Sequence, residues 1–108
     1  MVKVFISQPM NGKSEEEIQR TREKAIASIR KDLKDFGEEV EVLESYFEDY
    51  NPDAGCVPLK YLAKSLKLLA DADIAYFVKG WEDARGCRIE NLCAIEYGIE
   101  TIEDYAED

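Results

Sequence analysis

The order of short strand patterns and longer helical patterns limits what this chain can fold into more than any other feature. Runs rich in β-branched and aromatic residues, typical of buried strands, occupy residues 2–6, 40–43, 74–78 and 99–102. Amphipathic helical patterns begin at residues 14, 58 and 86, so that each helix lies between two strands. Helices in this position are usually right-handed crossovers between parallel strands. The sequence therefore predicts a parallel sheet of four to five strands with helices on both faces.

Local signals indicate where these helices begin and end. Ser14 is typical of an N-cap, and Glu17 three residues later completes a capping box. Gly37 is placed to end the first helix, and Pro58 suits the first turn of the second. The apolar face of the first helix is expected to consist of Ile18, Ala25, Ile29, Leu33 and Phe36. The inward face of the second is expected to consist of Leu59, Leu62, Leu66 and Leu69.

The length of the chain predicts one domain, and the predicted fold class indicates where a ligand would bind. With 108 residues there is room for one core, so we expect a single domain over residues 1–108. In a Rossmann-like or flavodoxin-like three-layer α/β domain, the ligand crevice lies where neighbouring strands diverge, outside their carboxyl ends. Residues 7–12 and 79–86 form the loops after the first and third strands. These loops are therefore predicted to face each other across one pocket.

The composition excludes several classes of function. The chain has no histidine, which removes the commonest general base, the commonest metal ligand and every Ser/His or Cys/His nucleophile. Catalysis would have to rest on carboxylates, tyrosines or backbone dipoles. The formal charge of -10 repels phosphate backbones and acidic lipids, so neither polymeric nucleic acid nor a membrane is an expected partner.

Cysteine usage and hydropathy predict a cytoplasmic protein. Cys56, Cys87 and Cys93 are an odd number without a CxxC pair, so neither a disulfide framework nor a zinc site is indicated. Cys87 and Cys93 have no base near them in the sequence and are expected to be buried apolar residues rather than nucleophiles. No apolar run has the length of a membrane span, and no signal-peptide pattern opens the chain.

The segment SQPMNGKS at residues 7–14 nearly matches a phosphate-binding P-loop. Ser7 stands where that motif needs its first glycine, and Pro9 removes one of the amides that would hold phosphate. We therefore do not expect a nucleoside triphosphatase. The segment is either an ordinary turn from strand to helix or a loop whose remaining amides hold a sugar hydroxyl or a single phosphate.

Glu90 is the acidic residue best placed for chemistry, near the start of the third helix. The helix dipole favours an ionised carboxylate there, and Gly86 would let a ligand approach the backbone closely. This arrangement suits a carboxylate nucleophile that is directed into the crevice. The alternative is an ordinary acidic residue that stabilises the helix N-terminus.

Three segments together resemble the nucleoside 2-deoxyribosyltransferases and the related 2′-deoxynucleoside 5′-phosphate N-hydrolases. They are VFISQPMNG, LKLLADADIAYFV and GCRIE followed by AIEYGIETI, and they span nearly the whole chain. The chain is most similar to a small branch of that superfamily with ISQPMNG and KGWEDARGCRIE segments. The resemblance implies a double displacement, without metal or organic cofactor, in which Glu90 attacks C1′ of a deoxyribose and expels the base. The glycosyl ester then passes to another base or to water, as in retaining glycosidases.

The chain departs from the family pattern at two positions. Ser65 matches a family aspartate that helps to hold the substrate, and Arg85 stands where many members carry an acid. Asp83 could supply that acid. Arg85 and Arg88 could instead bind a phosphate, which would favour a nucleotide, or could pair in solvent with Glu82 and Asp83.

Trp81, Tyr46 and Phe47 lie on loops at the same end of the predicted sheet. They could stack on a base, anchor their loops or form a subunit contact, and for a domain of this size we expect a homodimer or higher homo-oligomer. The predicted catalytic residues are Glu90 and Asp83. The predicted substrate-binding residues are Ser7, Gln8, Met10, Asn11, Gly12, Tyr46, Ser65, Trp81, Arg85, Gly86 and Arg88.

Other functions are also compatible with this pattern. The same kind of glutamate could hydrolyse another N-glycoside, such as a nicotinamide ribosyl group. A non-catalytic nucleotide-binding module is the second alternative, and Ser65 in place of the aspartate favours it. A flavodoxin-like FMN binder is disfavoured because the loop after the first strand lacks the Ser/Thr density that FMN phosphate usually requires.

Overall fold

The computed structural model describes residues 1–34, 37, 39–45 and 54–104. Strands and helices alternate along the chain as the sequence predicts. In chain order they are β1 (Val2–Ser7), α1 (Glu15–Lys34), β2 (Val40–Val42), α2 (Val57–Leu69), β3 (Ile74–Phe77), α3 (Arg85–Glu96) and β4 (Glu100–Glu103). A short 3-10 turn over Trp81–Asp83 lies between β3 and α3.

The described strands form one four-stranded sheet in the order β2-β1-β3-β4, and every neighbouring pair is parallel. Ser7 at the end of β1 is in register with Phe77 at the end of β3, so the loops after both strands leave the same edge. The predicted Rossmann-like or flavodoxin-like three-layer α/β architecture is confirmed.

Two apolar clusters fill the layers on either side of the sheet. One lies between the sheet and α1 and consists of Val4, Ile6, Ala25, Ile29, Ile74, Tyr76 and Val78. The other lies between the sheet and the helices α2 and α3 and consists of Phe5, Leu69, Ala75, Phe77, Trp81, Cys87 and Ala94. Successive side chains of a strand point to opposite faces. Ser7 therefore points, like Phe5, into the layer with α2 and α3.

The ends of the helices follow their predicted signals. The Ser14 hydroxyl accepts a hydrogen bond from the Glu17 amide at 3.2 Å and donates one to the Glu17 carboxylate at 3.3 Å. Pro58 lies in the first turn of α2. Gly37 has a φ of 75°, a left-handed conformation that glycine adopts at little cost, and its amide bonds the Lys34 carbonyl at 2.9 Å. The predicted core residue Phe36 lies outside the described residues.

Several boundaries differ from the predicted ones by about one residue. β1 includes Ser7 because that residue still pairs with β3, and α3 begins at Arg85 rather than at Gly86. The expected inward position of Leu59 is wrong, because this side chain is exposed whereas Leu69 on the same face is buried. Exposure along that face rises toward the N-terminus of α2, so the first turn lies beyond the packed layer. None of the helices in the described part of the chain is long and apolar enough to cross a membrane.

Candidate active site

The loops after β1 and β3 lie side by side at the carboxyl edge of the sheet. A methyl group built on Gly80 would lie 3.7 Å from the Pro9 side chain, which is van der Waals contact. Gly80 has a φ of 94°, which strongly favours glycine, and this bend carries the chain from β3 into the 3-10 turn. The two loops therefore lie next to each other as predicted, and a ligand pocket between them stays a prediction.

A buried polar cluster around Glu90 lies directly below this edge. The Ser7 hydroxyl donates a hydrogen bond of 2.6 Å to Oε1 of Glu90, and both side chains are buried. The Ser65 hydroxyl, from α2, also hydrogen-bonds the Glu90 carboxyl. A strand and two helices thus meet at a single carboxyl group, whose side chain is only 7% exposed.

Burial controls the ionisation of Glu90. It raises the pKa of the Glu90 carboxyl to about 7, while the hydrogen bonds from Ser7 and Ser65 oppose that rise. Desolvation disfavours the charged form, and donors directed at the carboxylate favour it. At neutral pH the group is therefore divided between its protonated and ionised forms, and carboxyls with pKa values perturbed in this way are concentrated at functional sites.

The alternative in which Glu90 is a surface acid at a helix N-terminus is wrong. The residue lies in the second turn of α3, which begins at Arg85, and it is buried rather than solvated. The dipole effect falls off within the first turn, whereas the surroundings of Glu90 are the core layer and two hydroxyl groups.

Cys87 adjoins the same cluster as a neutral thiol. Burial raises its pKa to about 11, against a hydrogen bond with Ser7 that lowers it, and the nearby Glu90 charge raises it further. A thiol with such a pKa is a poor nucleophile at neutral pH. This agrees with the expectation that Cys87 is a buried residue rather than a catalytic one.

The remaining predicted ligands of the first loop lie in two different settings. Gln8 is buried, and its Nε2 donates to the Ile18 carbonyl at 3.0 Å, so it connects the end of β1 to α1. Asn11 and Gly12 are exposed in a turn that the Lys13 amide closes by donating to the Met10 carbonyl at 3.2 Å. Substrate contacts by this turn stay a prediction.

The 3-10 turn carries the predicted aromatic and acidic residues of the second loop. Trp81 is buried and packs on Phe77, with ring centroids 5.6 Å apart, so anchoring of the loop accounts for this side chain without a ligand. Asp83 is exposed, outside the buried cluster. Arg88 donates to the main-chain carbonyl of Glu82 at 3.1 Å, which ties the turn to α3. This bond goes to the main chain of Glu82 and not to its carboxylate, and phosphate binding by Arg88 stays a prediction.

The first turn of α3 has no capping side chain. Ala84 at its N-cap makes no side-chain capping bond, and a methyl group built on Gly86 would meet nothing within 4 Å. Arg85 is exposed beside it. Tyr46, which was predicted to stack on a base, lies outside the described residues. Within the described ranges, no three Cys, Asp or Glu side chains come together as metal ligands would.

Two buried polar residues near this site, Arg22 and Ser45, are not among those predicted from the sequence. Arg22 is only 5% exposed, and its Nη1 donates to the Ser45 hydroxyl at 3.0 Å. A signal for Arg22 was present, because residues 18, 22, 25 and 29 recur at the spacing of one helix face. An arginine within an otherwise apolar stripe indicates a buried charge with partners elsewhere in the fold.

The sequence model of one family, described as "Domain of unknown function (DUF4406)", matches residues 2–103. The chain belongs to this family. The match runs from β1 to the end of β4, so the DUF4406 domain includes Ser7, Ser65 and Glu90. Neither the curated proteins nor the solved structures contain a match to this chain.

Proposed function

We propose that this DUF4406 domain cleaves or transfers the N-glycosidic bond of a nucleoside or nucleoside 5′-monophosphate, with Glu90 as the nucleophile. The observation that carries the proposal is the buried Glu90 carboxyl, held at 2.6 Å by the Ser7 hydroxyl below the carboxyl edge of parallel strands. Ligands of open α/β sheets bind at that edge. The resemblance of three segments to nucleoside deoxyribosyltransferases adds the reaction class.

In the proposed reaction, the ionised carboxylate of Glu90 attacks C1′ of the sugar. The bond from C1′ to the base nitrogen breaks, and the base leaves with the bonding electrons and takes up a proton from solvent or from an acid such as Asp83. A second base or a water molecule then attacks C1′, loses a proton to solvent or to the same acid, and releases the Glu90 carboxylate. The hydroxyls of Ser7 and Ser65 hold the carboxyl in one orientation, which lowers the entropic cost of attack.

The start of α3 is suited to bind an oxygen-rich group of the substrate. Its first-turn amides have no side-chain cap, Gly86 faces open space, and Arg85 is exposed beside them. Helix N-termini bind phosphate and hydroxyl oxygens through such amides. These features favour a nucleoside 5′-monophosphate among the substrates that we propose.

One observation favours a second candidate, a non-catalytic nucleotide-binding module. With a pKa of about 7, a large share of Glu90 carries a proton at neutral pH. A protonated carboxyl can donate a hydrogen bond to a bound ligand but cannot attack C1′. Ser65 in place of a charged residue is compatible with the same role.

The two candidates differ in turnover. We expect the purified protein to release free base from at least one member of a panel of deoxynucleosides, their 5′-monophosphates and NAD, with and without an acceptor base. Because the attacking form is ionised, the rate should rise with pH through about 7. Chromatography of the products at several pH values measures the release of free base and the dependence of its rate on pH. Binding to any of these compounds without release of base would support the non-catalytic module instead.

We also propose that the protein is a homodimer or a higher homo-oligomer. Leu59 on α2 and Leu92 and Ile95 on α3 are more than half exposed, and both helices cover the same face of the sheet. Large apolar side chains on one layer are typical of subunit contacts. Light scattering over a range of concentrations should give at least twice the 12.3 kDa chain mass, and the mass of one chain throughout would contradict this.

A further inference from the structure

Arg22 is a buried charge that the proposed reaction does not use. Its side chain is 6% exposed. Burial lowers the pKa of its guanidinium, and the nearby charge of Glu44 opposes this by raising it. Burial of a charged group is costly unless hydrogen bonds and an opposite charge compensate for it. The contacts of Arg22 therefore indicate what this residue does in the fold.

The guanidinium of Arg22 binds three consecutive residues where the chain leaves β2. It donates through Nη2 to the Leu43 carbonyl at 3.0 Å and through Nη1 to the Ser45 hydroxyl at 3.0 Å. Nη2 also lies 3.3 Å from the carboxylate of Glu44, whose side chain is 75% exposed. Two of the three contacts are thus directed into the protein, toward the segment that follows β2.

Ser45, which accepts from Arg22, also hydrogen-bonds the main chain of β1. The Leu43 amide donates to the Val4 carbonyl at 2.9 Å, as in a regular parallel ladder. Ile6 presents the next carbonyl on that side of β1, and it accepts from the Ser45 hydroxyl at 2.8 Å. The side chain of Ser45 therefore takes the place of a main-chain amide at the point where β2 diverges from β1.

A second contact holds the chain just after Ser7, at Gln8. Nε2 of Gln8 donates to the Ile18 carbonyl, and Ile18 lies one turn before Arg22 on α1. The main-chain carbonyl of Ser7 accepts from the Val78 amide at 2.9 Å. The neighbours of Ser7 in the sequence, Ile6 and Gln8, are thus both held from α1, while the Ser7 hydroxyl reaches Glu90 on the opposite face.

We propose that Arg22 and Ser45 are positioning residues, which fix the end of β1 so that the Ser7 hydroxyl meets the Glu90 carboxyl. This inference deepens the proposed function and rests on it for the role of Glu90. The geometry that carries it is a continuous hydrogen-bonded path from Arg22 through Ser45 to the Ile6 carbonyl, one residue before Ser7.

The test is the titration of Glu90 in the absence of substrate. In Ser45→Ala, the Ile6 carbonyl and one arm of Arg22 lose their partner, so the end of β1 keeps its contacts with β3 and α1 but is held less tightly on the side of β2. The bond from Ser7 stabilises the ionised carboxylate, so its weakening should raise the pKa of Glu90 above about 7. Cys87, the titratable group beside Glu90, has a pKa of about 11 and stays neutral throughout this range.

The carboxyl resonance of Glu90 can be followed by carbon-13 NMR, with assignment by its loss in Glu90→Gln. Ser7→Ala should raise the pKa, and Ser45→Ala combined with Ser7→Ala should raise it no further, because both act through one bond. Arg22→Lys keeps the charge but loses the fork geometry, and it should shift the pKa in the same direction. Ser28→Ala is the matched control, since Ser28 lies on α1 but bonds Tyr76, and it should leave the Glu90 titration unchanged.

Two outcomes would overturn the inference. One is a Ser45→Ala or Arg22→Lys protein that is less stable to urea but has the wild-type pKa at Glu90, which would assign both residues a purely structural role. The other is a double variant, Ser45→Ala with Ser7→Ala, in which the two shifts in the pKa of Glu90 add in full. A protein that shows the expected shifts but releases no base would contradict the proposed function and leave the positioning role intact.

Discussion

Replacement of Glu90 by glutamine is expected to lower the rate of base release by several orders of magnitude while the protein stays folded. Glutamine has the shape of the protonated carboxyl and can still accept from Ser7, but its amide cannot attack C1′. This substitution is preferable to alanine, which would leave a cavity and two hydroxyls without their partner in a buried site. Initial rates of base release on the substrate found in the panel measure the effect.

Glu96→Gln is the matched control for this experiment. Glu96 ends the same helix and is exposed, so its replacement removes the same charge without a change in the buried cluster. We expect wild-type rates from Glu96→Gln. Near wild-type rates from Glu90→Gln would show that Glu90 is not the nucleophile, even if base release itself is real.

The second large effect concerns stability. Glu90 has a pKa raised from an ordinary value near 4.5 to about 7 in the folded protein, so between these pH values the folded state binds more protons than the unfolded state. The contribution of Glu90 to the free energy of unfolding is therefore fully present below about pH 4.5 and is lost as pH rises through about 7. A shift of this size corresponds to roughly 3 kcal/mol.

Glu90→Gln removes this dependence, because glutamine does not titrate. At pH 8 the variant should be more stable than the wild type by roughly 3 kcal/mol, and the two should converge at pH 4.5. Urea unfolding of both proteins at several pH values gives the difference, in which the contributions of the other carboxylates cancel. Parallel stability curves for the two proteins would contradict a raised pKa at Glu90. A variant that is more stable but inactive is the usual relation between stability and activity at a functional site.

Most of the fold could be predicted from local patterns. The strand runs at residues 2–6 and 74–78, the N-cap at Ser14 and the alternation of elements depend on short-range sequence, and the structure has them. The usual handedness of crossovers predicted that the sheet is parallel, which the structure has. Leu59 was misplaced because periodicity gives the direction of a side chain but not how far the packed layer extends along a helix.

The site could be predicted only in outline. Position in the chain indicated Glu90 and the edge where Ser7 lies, but not that the two groups are 2.6 Å apart or that Glu90 is buried. Ser65 was expected to face the substrate, and its contact with Glu90 depends on how α2 packs beside α3. The path from Arg22 through Ser45 joins residues 23 and 39 positions apart, so no local pattern could reveal it.

The most direct test of the account is to trap the covalent intermediate. A slow 2-fluoro analogue of the substrate, incubated with the wild-type protein, should give an adduct of the fluorosugar mass in intact-mass spectrometry. Peptide mapping should locate that adduct on Glu90, and Glu90→Gln should form none. An adduct on another residue, or release of the base from the analogue without any adduct on Glu90, would contradict the assignment of Glu90 as the nucleophile.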